Sequence, residues 1–131
     1  MVQKTVVTLL WLWTAPWTSV GLLVGLVGLI TGGGVQRCGR VVEFYGGAVA
    51  WLLGRLPIRP MGLTLGHVIL GLSPVALDVV RRHEMVHVAQ YERWGPLFVP
   101  AYLGCSLVLW IQRKDAYRDN PFEREAFEEA P

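Results

Sequence analysis

His83, Glu84 and His87 stand in the run HEMVH, where three chemically potent side chains meet at helical spacing. Residues four apart on an α-helix lie one above the other on the same face, so the two imidazoles converge on one point. Two histidine nitrogens converging in this way are ligands for Zn²⁺, and the intervening glutamate is left free to act as a base. Zinc lowers the pKa of a bound water to about 7, which makes a neighbouring carboxylate a competent proton acceptor. Such a site also needs a third protein ligand, a cleft and a scaffold, and the rest of the chain must supply them.

The helix that carries HEMVH has clear ends. Ser73-Pro74 is a start signal, with Ser as N-cap and Pro at the first helical position, and Gly95-Pro96 is a stop. The spacing predicts a helix over 74–94, with His83, His87, Gln90 and Trp94 on the face that also holds Ala76 and Val80. The third ligand is sought downstream, in Asn120-Pro121-Phe122-Glu123-Arg124-Glu125-Ala126, where Asn-Pro opens a final helix. Glu123 falls in the first turn, where the helix dipole keeps a carboxylate ionised, as a ligand must be. The same position is the reciprocal site of a capping box with Asn120, so Glu123 has two possible employments. Glu125 is a weaker alternative, and the two carboxylates do not share one metal because residues two apart project from different sides of a helix.

With these residues in place the chain resembles the gluzincin metallopeptidases, in which a second helix brings a glutamate to the metal. Membrane zincins of the CAAX-processing and heat-shock endopeptidase type carry a Glu-x-x-Ala-Asp pattern whose first residue is the ligand. On this chain that pattern falls on Glu123-Arg124-Glu125-Ala126. The run from RRHEMVHVAQYERWG to YRDNPFEREA is also similar to small uncharacterised bacterial HExxH proteins with an NPFE-type second motif. The resemblance covers the C-terminal half and leaves the first half unmatched. It implies a zincin-like helical core, Zn²⁺ held by His83, His87 and Glu123, and Glu84 as catalytic base. One position departs: the aspartate that orients a metal-bound histidine in those enzymes is Phe127 here. Glu125, Glu128 and Asp78 are the candidates to replace it.

Four further side chains are weighed at the site. Gln90, one turn beyond His87, is a candidate to line the cleft or to support a ligand from behind, and Tyr117 is a candidate donor to an oxyanion. His67 shares a strand face with Leu65 and Ile69, and is read as a hydrogen-bonded structural histidine before it is read as a ligand. Arg81-Arg82 is read as a solvated or lipid-facing pair.

The scaffold is unusually apolar. Of 131 residues, 53% are hydrophobic and only 17% charged, against about 25% charged in an ordinary soluble domain. The length suits one folded unit, and a net charge of +2 with dispersed basic residues argues against nucleic acid as a partner. Val6 to Ile30 carries no charge and is long enough to cross a bilayer, with Trp11, Trp13 and Trp17 as interfacial aromatics and Pro16 as a kink or hairpin point. Lys4 on one side of this run and Arg37, Arg40, Arg55 and Arg59 on the other favour a cytoplasmic body. A second apolar stretch, Leu97 to Ile111, is short for a span and reads as a helix on the core or in the bilayer interface. Cys38 and Cys105 lie in no metal-ligand spacing and read as small apolar residues.

Between these segments the period changes. Val41–Tyr45 and Ala48–Leu53 flank Gly46-Gly47, a two-residue hairpin signal, although Ala48 to Leu56 also reads as a helix, and Leu63 to Leu70 reads as a third strand. The expected class is therefore α+β: an N-terminal transmembrane helix or helical hairpin over 1–33, then a unit over 34–131 with a small antiparallel sheet and a minimal zincin-like helical core. The expected function is a membrane-associated zinc metallopeptidase acting on a peptide or protein substrate beside membrane lipid. The rivals are a zinc-stabilised module without turnover, and a membrane interaction protein in which HEMVH is accidental.

Overall fold

A computed structural model describes residues 2–130 and has α+β architecture with one four-stranded mixed sheet. The charge-free N-terminal run is not one helix. It forms α1 (Val2–Trp13) and α2 (Ala15–Ile30), which meet at Thr14 with a bend of 84°. Pro16 sits in the first turn of α2, where its missing N–H costs nothing, so it opens a helix rather than kinking one. The bend is held from outside. Trp11 Nε1 donates to Arg40 O at 3.1 Å and Trp17 Nε1 donates to Pro96 O at 3.0 Å, so these indoles clamp the segment to the body of the protein.

The strands β1 (Gly34–Cys38), β2 (Val41–Tyr45), β3 (Gly62–Leu65) and β4 (Val68–Gly71) lie in the order β1-β2-β4-β3. The β1–β2 and β4–β3 pairs are antiparallel, but β2 and β4 run parallel, so the expected all-antiparallel sheet is corrected to a mixed one. Gly46 and Gly47 do take the left-handed conformation that suggested a hairpin, with φ of 74° and 51°. They turn the chain into a helix instead, α3 (Gly47–Arg55), whose Val49 and Leu53 are fully buried. A parallel pair requires such a crossover, because a tight turn cannot return the chain in the same direction. The run Leu63–Leu70 is likewise corrected. It is two strands joined at Gly66-His67, with Gly66 at φ 63°.

Helices cover both faces of the sheet. On one face Phe44, Val49, Leu53, Val68 and Leu70 form a core with Val24 and Leu29 of α2. Close approach of α2 depends on Gly21, Gly25 and Gly28, which share its buried face. A Cβ at Gly25 would lie 2.4 Å from the Phe44 ring, and one at Gly28 would lie 2.7 Å from Val49. On the other face Val41 and Ile69 pack with Leu77 and Val88 of α4 (Pro74–Trp94). Glu43 is fully buried there, bound by Arg81 through two contacts of 2.8 Å and by Gln36 at 2.7 Å. Arg81 is thus the part-exposed counter-ion of a buried carboxylate and not the unpaired solvated or lipid-facing charge the sequence suggested.

Helix α4 has the bounds its caps imply: Ser73 Oγ accepts from Ala76 N, and Gly95 ends it at φ 58°. One 3₁₀ turn, Gly95–Leu97, carries it into α5 (Phe98–Ile111). Together Pro74–Ile111 makes 38 nearly continuous helical residues, a segment long and apolar enough to cross a membrane. The α1–α2 pair meets that test only as a bent pair. A polar loop then leads to α6 (Pro121–Glu129), which packs back against α4. Cys38 and Cys105 are both free thiols.

Candidate metal centre

The centre is built where α4 and α6 cross. His83 and His87 are one turn apart on α4 and present Nε2 towards α6. Asn120 caps α6 through its side chain, which accepts from Phe122 N at 2.9 Å, and this fixes where the first turn begins. Glu123 does not complete the capping box. Its Oε1 meets His83 Nε2 at 3.1 Å and His87 Nε2 at 3.0 Å. Two histidine nitrogens and one carboxylate oxygen thus crowd a single point. Tetrahedral zinc with bonds of about 2.0–2.1 Å spaces its ligand atoms by about 3.3 Å, and each histidine contact with Glu123 Oε1 is within a few tenths of an ångström of that spacing. His83, Glu84 and His87 also place one donor atom each within 4.8 Å of one another, a group able to hold a metal ion. The donor chemistry, two imidazoles and one carboxylate, fits a divalent first-row metal, the class to which Zn²⁺ belongs.

Glu84 is on the same helix but takes a different partner. Its Oε1 accepts from Thr64 Oγ1 at 2.9 Å, and its Oε2 lies 4.0 Å from His83 Nε2. Strand β3 therefore anchors one carboxylate oxygen while the other faces the ligand cluster.

Gln90 orients His87. Its Nε2 donates to Phe122 O at 2.9 Å and to Glu125 Oε1 at 2.8 Å, which uses both amide hydrogens. The amide oxygen must then face His87 Nδ1, 2.8 Å away, and Nδ1 must be the protonated nitrogen. With Nδ1–H fixed, Nε2 carries the hydrogen given to Glu123 in the metal-free protein, and it offers a lone pair to a metal once that hydrogen is lost. The orienting role expected of an aspartate at position 127 is met from α4. Phe127 itself packs its ring on His83 at 4.8 Å between centroids. Glu125 acts only through Gln90 and also pairs with Arg93. Glu128 is exposed, and Asp78 pairs with Arg81, so neither replaces that aspartate.

Charge balance keeps Glu123 ionised. Burial pushes the Glu123 carboxyl up, but hydrogen bonds from His83, His87 and Tyr102 and the charge on His87 outweigh it, leaving its pKa at about 2. Tyr102, on α5, donates to Glu123 Oε2 at 2.6 Å and so occupies the oxygen that the histidines do not. Tyr117 is pushed up to about 12, by burial and then by the charges of Glu123 and Glu84, so its hydroxyl stays protonated beside the cleft. That cleft, of ≈ 200 Å³, has the ligands and Glu84 on its floor. Its apolar walls come from Ile58, Pro60 and β3 on one side, and from Phe98, Val99 and Leu103 of α5 on the other.

His67 is not at this centre. It is fully buried at the β3–β4 turn, with Nδ1 2.8 Å from Thr14 Oγ1, Nε2 2.8 Å from Glu92 Oε2, and its ring stacked on Trp11. Sequence reasoning missed Tyr102 and Thr64. Neither has a spacing relation to HEMVH, and both arrive only through tertiary packing. Comparison of the chain with protein-family models, with curated proteins and with solved structures finds no match in any of the three.

Proposed function

We propose that the protein is a membrane-associated zinc metallopeptidase with a minimal zincin-like core. The observation that carries this reading is the convergence of His83 Nε2 and His87 Nε2 on Glu123 Oε1, in place of the cap Glu123 would otherwise make. Zinc bound by these three residues supplies Lewis-acid polarisation of a carbonyl and acidifies water. The chain's own groups do the rest. Glu84, steadied by Thr64, accepts the proton of the attacking water at its Oε2 and later returns one to the leaving amine. Tyr117 stays a hydrogen-bond donor at the cleft wall, suited to an oxyanion. Strand β3 is the edge of the sheet and lines the cleft, so an extended polypeptide can add to it as a further strand while its side chains enter the apolar walls.

Membrane association is supported by the 74–111 segment and by the exposed aliphatic faces of α2 (Leu22, Leu23, Leu26) and α5 (Leu103, Leu107, Val108). Leu103 belongs both to that exposed face and to the cleft wall, which supports a site beside lipid with membrane-proximal polypeptides as substrates.

The test is hydrolysis of an unfolded, apolar-rich polypeptide by the zinc-loaded full chain and by Glu84→Gln. The wild type is expected to cleave and E84Q to lose at least about a hundredfold in rate, the usual contribution of a general base, with zinc content unchanged. Equal rates in both proteins would contradict the role of Glu84. Absence of cleavage across a broad set of polypeptides, with zinc bound, would favour the metal-stabilised module instead.

A further inference from the structure

A second concavity lies well apart from the metal centre, between α1 and the β1–β2 hairpin. It has a volume of ≈ 410 Å³ and is lined by Val7, Thr8 and Trp11 of α1 and by Arg37, Arg40 and Val42 of the hairpin. Its chemistry is divided between cations and an apolar wall. Arg40 gives Nε and Nη2 to Glu92, at 2.8 and 2.9 Å, which leaves Nη1 unengaged by that carboxylate. Arg37 is exposed. Among the described residues it forms no ion pair, and its Nε has only a 3.4 Å contact with Gly39 O. Lys4 stands one helical turn before Thr8 and shares the face of α1 that carries Val7 and Trp11; it too has no ion pair among the described residues. Two arginines therefore line the groove, Lys4 shares the α1 face that borders it, and the carboxylate that Arg40 engages, Glu92, is already shared with His67.

The opposite face of α1 is apolar and open: Val6, Leu9, Leu12 and Trp13 are all exposed. α1 carries one cation, Lys4, on the groove side and exposed aliphatic and aromatic side chains on the other, the pattern of a helix lying in the plane of a bilayer interface. The 84° turn at Thr14 fits α1 to that attitude while α2 takes a different direction. Basic pockets beside membrane helices are the sites that accept acidic lipid headgroups. We propose that this groove binds the phosphate headgroup of an anionic phospholipid, with Arg37 and Arg40 on the phosphate, Lys4 beside them on α1, and the acyl chains leaving along Val7. The site is independent of metal binding and of peptide hydrolysis.

Native mass spectrometry of the detergent-solubilised full chain, offered equal amounts of phosphatidylglycerol and phosphatidylcholine, tests the proposal. The wild type is expected to retain phosphatidylglycerol preferentially. Lys4→Gln and Arg37→Gln are each expected to cut that preference by about fivefold, the effect of one basic side chain near an acidic surface, and Arg37→Glu by more. Both positions are exposed, and circular dichroism confirms the fold of each variant. Lys114→Gln, on the polar loop after α5, serves as the charge-matched control and is expected to leave the preference intact. A preference unchanged in the Lys4 and Arg37 variants, or lost equally in the Lys114 control, would overturn the proposal. Inorganic phosphate displacing the lipid at equal concentration would also overturn it, because a free-phosphate site makes no use of the acyl chains.

Discussion

Gln90 gives His87 its direction. Both its amide hydrogens are committed to Phe122 O and Glu125, so its oxygen has one orientation and His87 one tautomer. Gln90→Leu keeps the volume but leaves the His87 N–H without an acceptor. Zinc affinity, read by competition with a chelator, is expected to fall by about 10–100-fold, as for other partners that hold a ligand in place. An unchanged affinity would remove Gln90 from the site's design. Glu123 makes a second prediction at this scale. Its folded pKa of about 2 lies below the ordinary 4.5, so it adds stability to the metal-free protein that is complete above pH 4.5 and is lost as pH falls through about 2. The difference in unfolding free energy between wild type and Glu123→Gln is therefore expected to shrink between pH 4.5 and pH 2, and a flat difference would contradict it. His83, Glu84, His87 and Glu123 were all legible in the sequence because helical spacing and caps are local. Tyr102 and Thr64 were not, since each reaches the site from an element whose placement depends on the whole fold.

Elements differ in how much of their fate is local. Helix α4 begins and ends at the residues its Ser-Pro and Gly-Pro signals mark, because those signals act within one turn. The strands were harder. Gly46-Gly47 supplies the positive φ angles of a hairpin, yet the chain continues into α3, which buries Val49 and Leu53 against the sheet. The reversal inside LTLGHVIL was marked only by Gly66. Helix α2 shows the strongest element-level constraint. Gly25→Ala would place a methyl group 2.4 Å from the Phe44 ring and is expected to destabilise the fold by roughly 1–3 kcal/mol in denaturant unfolding. No change in stability would mean that α2 does not seat on the sheet as described. Thr14→Val, nearly isosteric, takes the hydroxyl partner from the buried His67 Nδ1, and a cost of about 1–3 kcal/mol is expected in the same assay.

For the molecule as a whole, the apolar N-terminal segment is part of the fold. Helix α2 covers Phe44 and Val68, and Thr14 and Thr18 hold His67 through its Nδ1 and its backbone N–H. A chain beginning at Gly34 would expose that sheet face and leave a buried histidine unpaired. It is therefore expected to be recovered aggregated, whereas a segment acting only as a tether could be removed without loss. Composition indicated contact with a bilayer but not this integration, because hydropathy does not distinguish a helix that faces lipid on all sides from one that gives its glycine face to a sheet.

All of these features bear on one question, whether the point shared by His83, His87 and Glu123 holds a metal. The direct measurement is the zinc content of the purified full chain by plasma mass spectrometry, alongside His87→Ala and Glu123→Gln checked for fold by circular dichroism. One zinc per chain is expected in the wild type, with substantial loss in both folded variants. A wild type that stays metal-free after exposure to zinc, or variants that retain a full equivalent, would contradict the site.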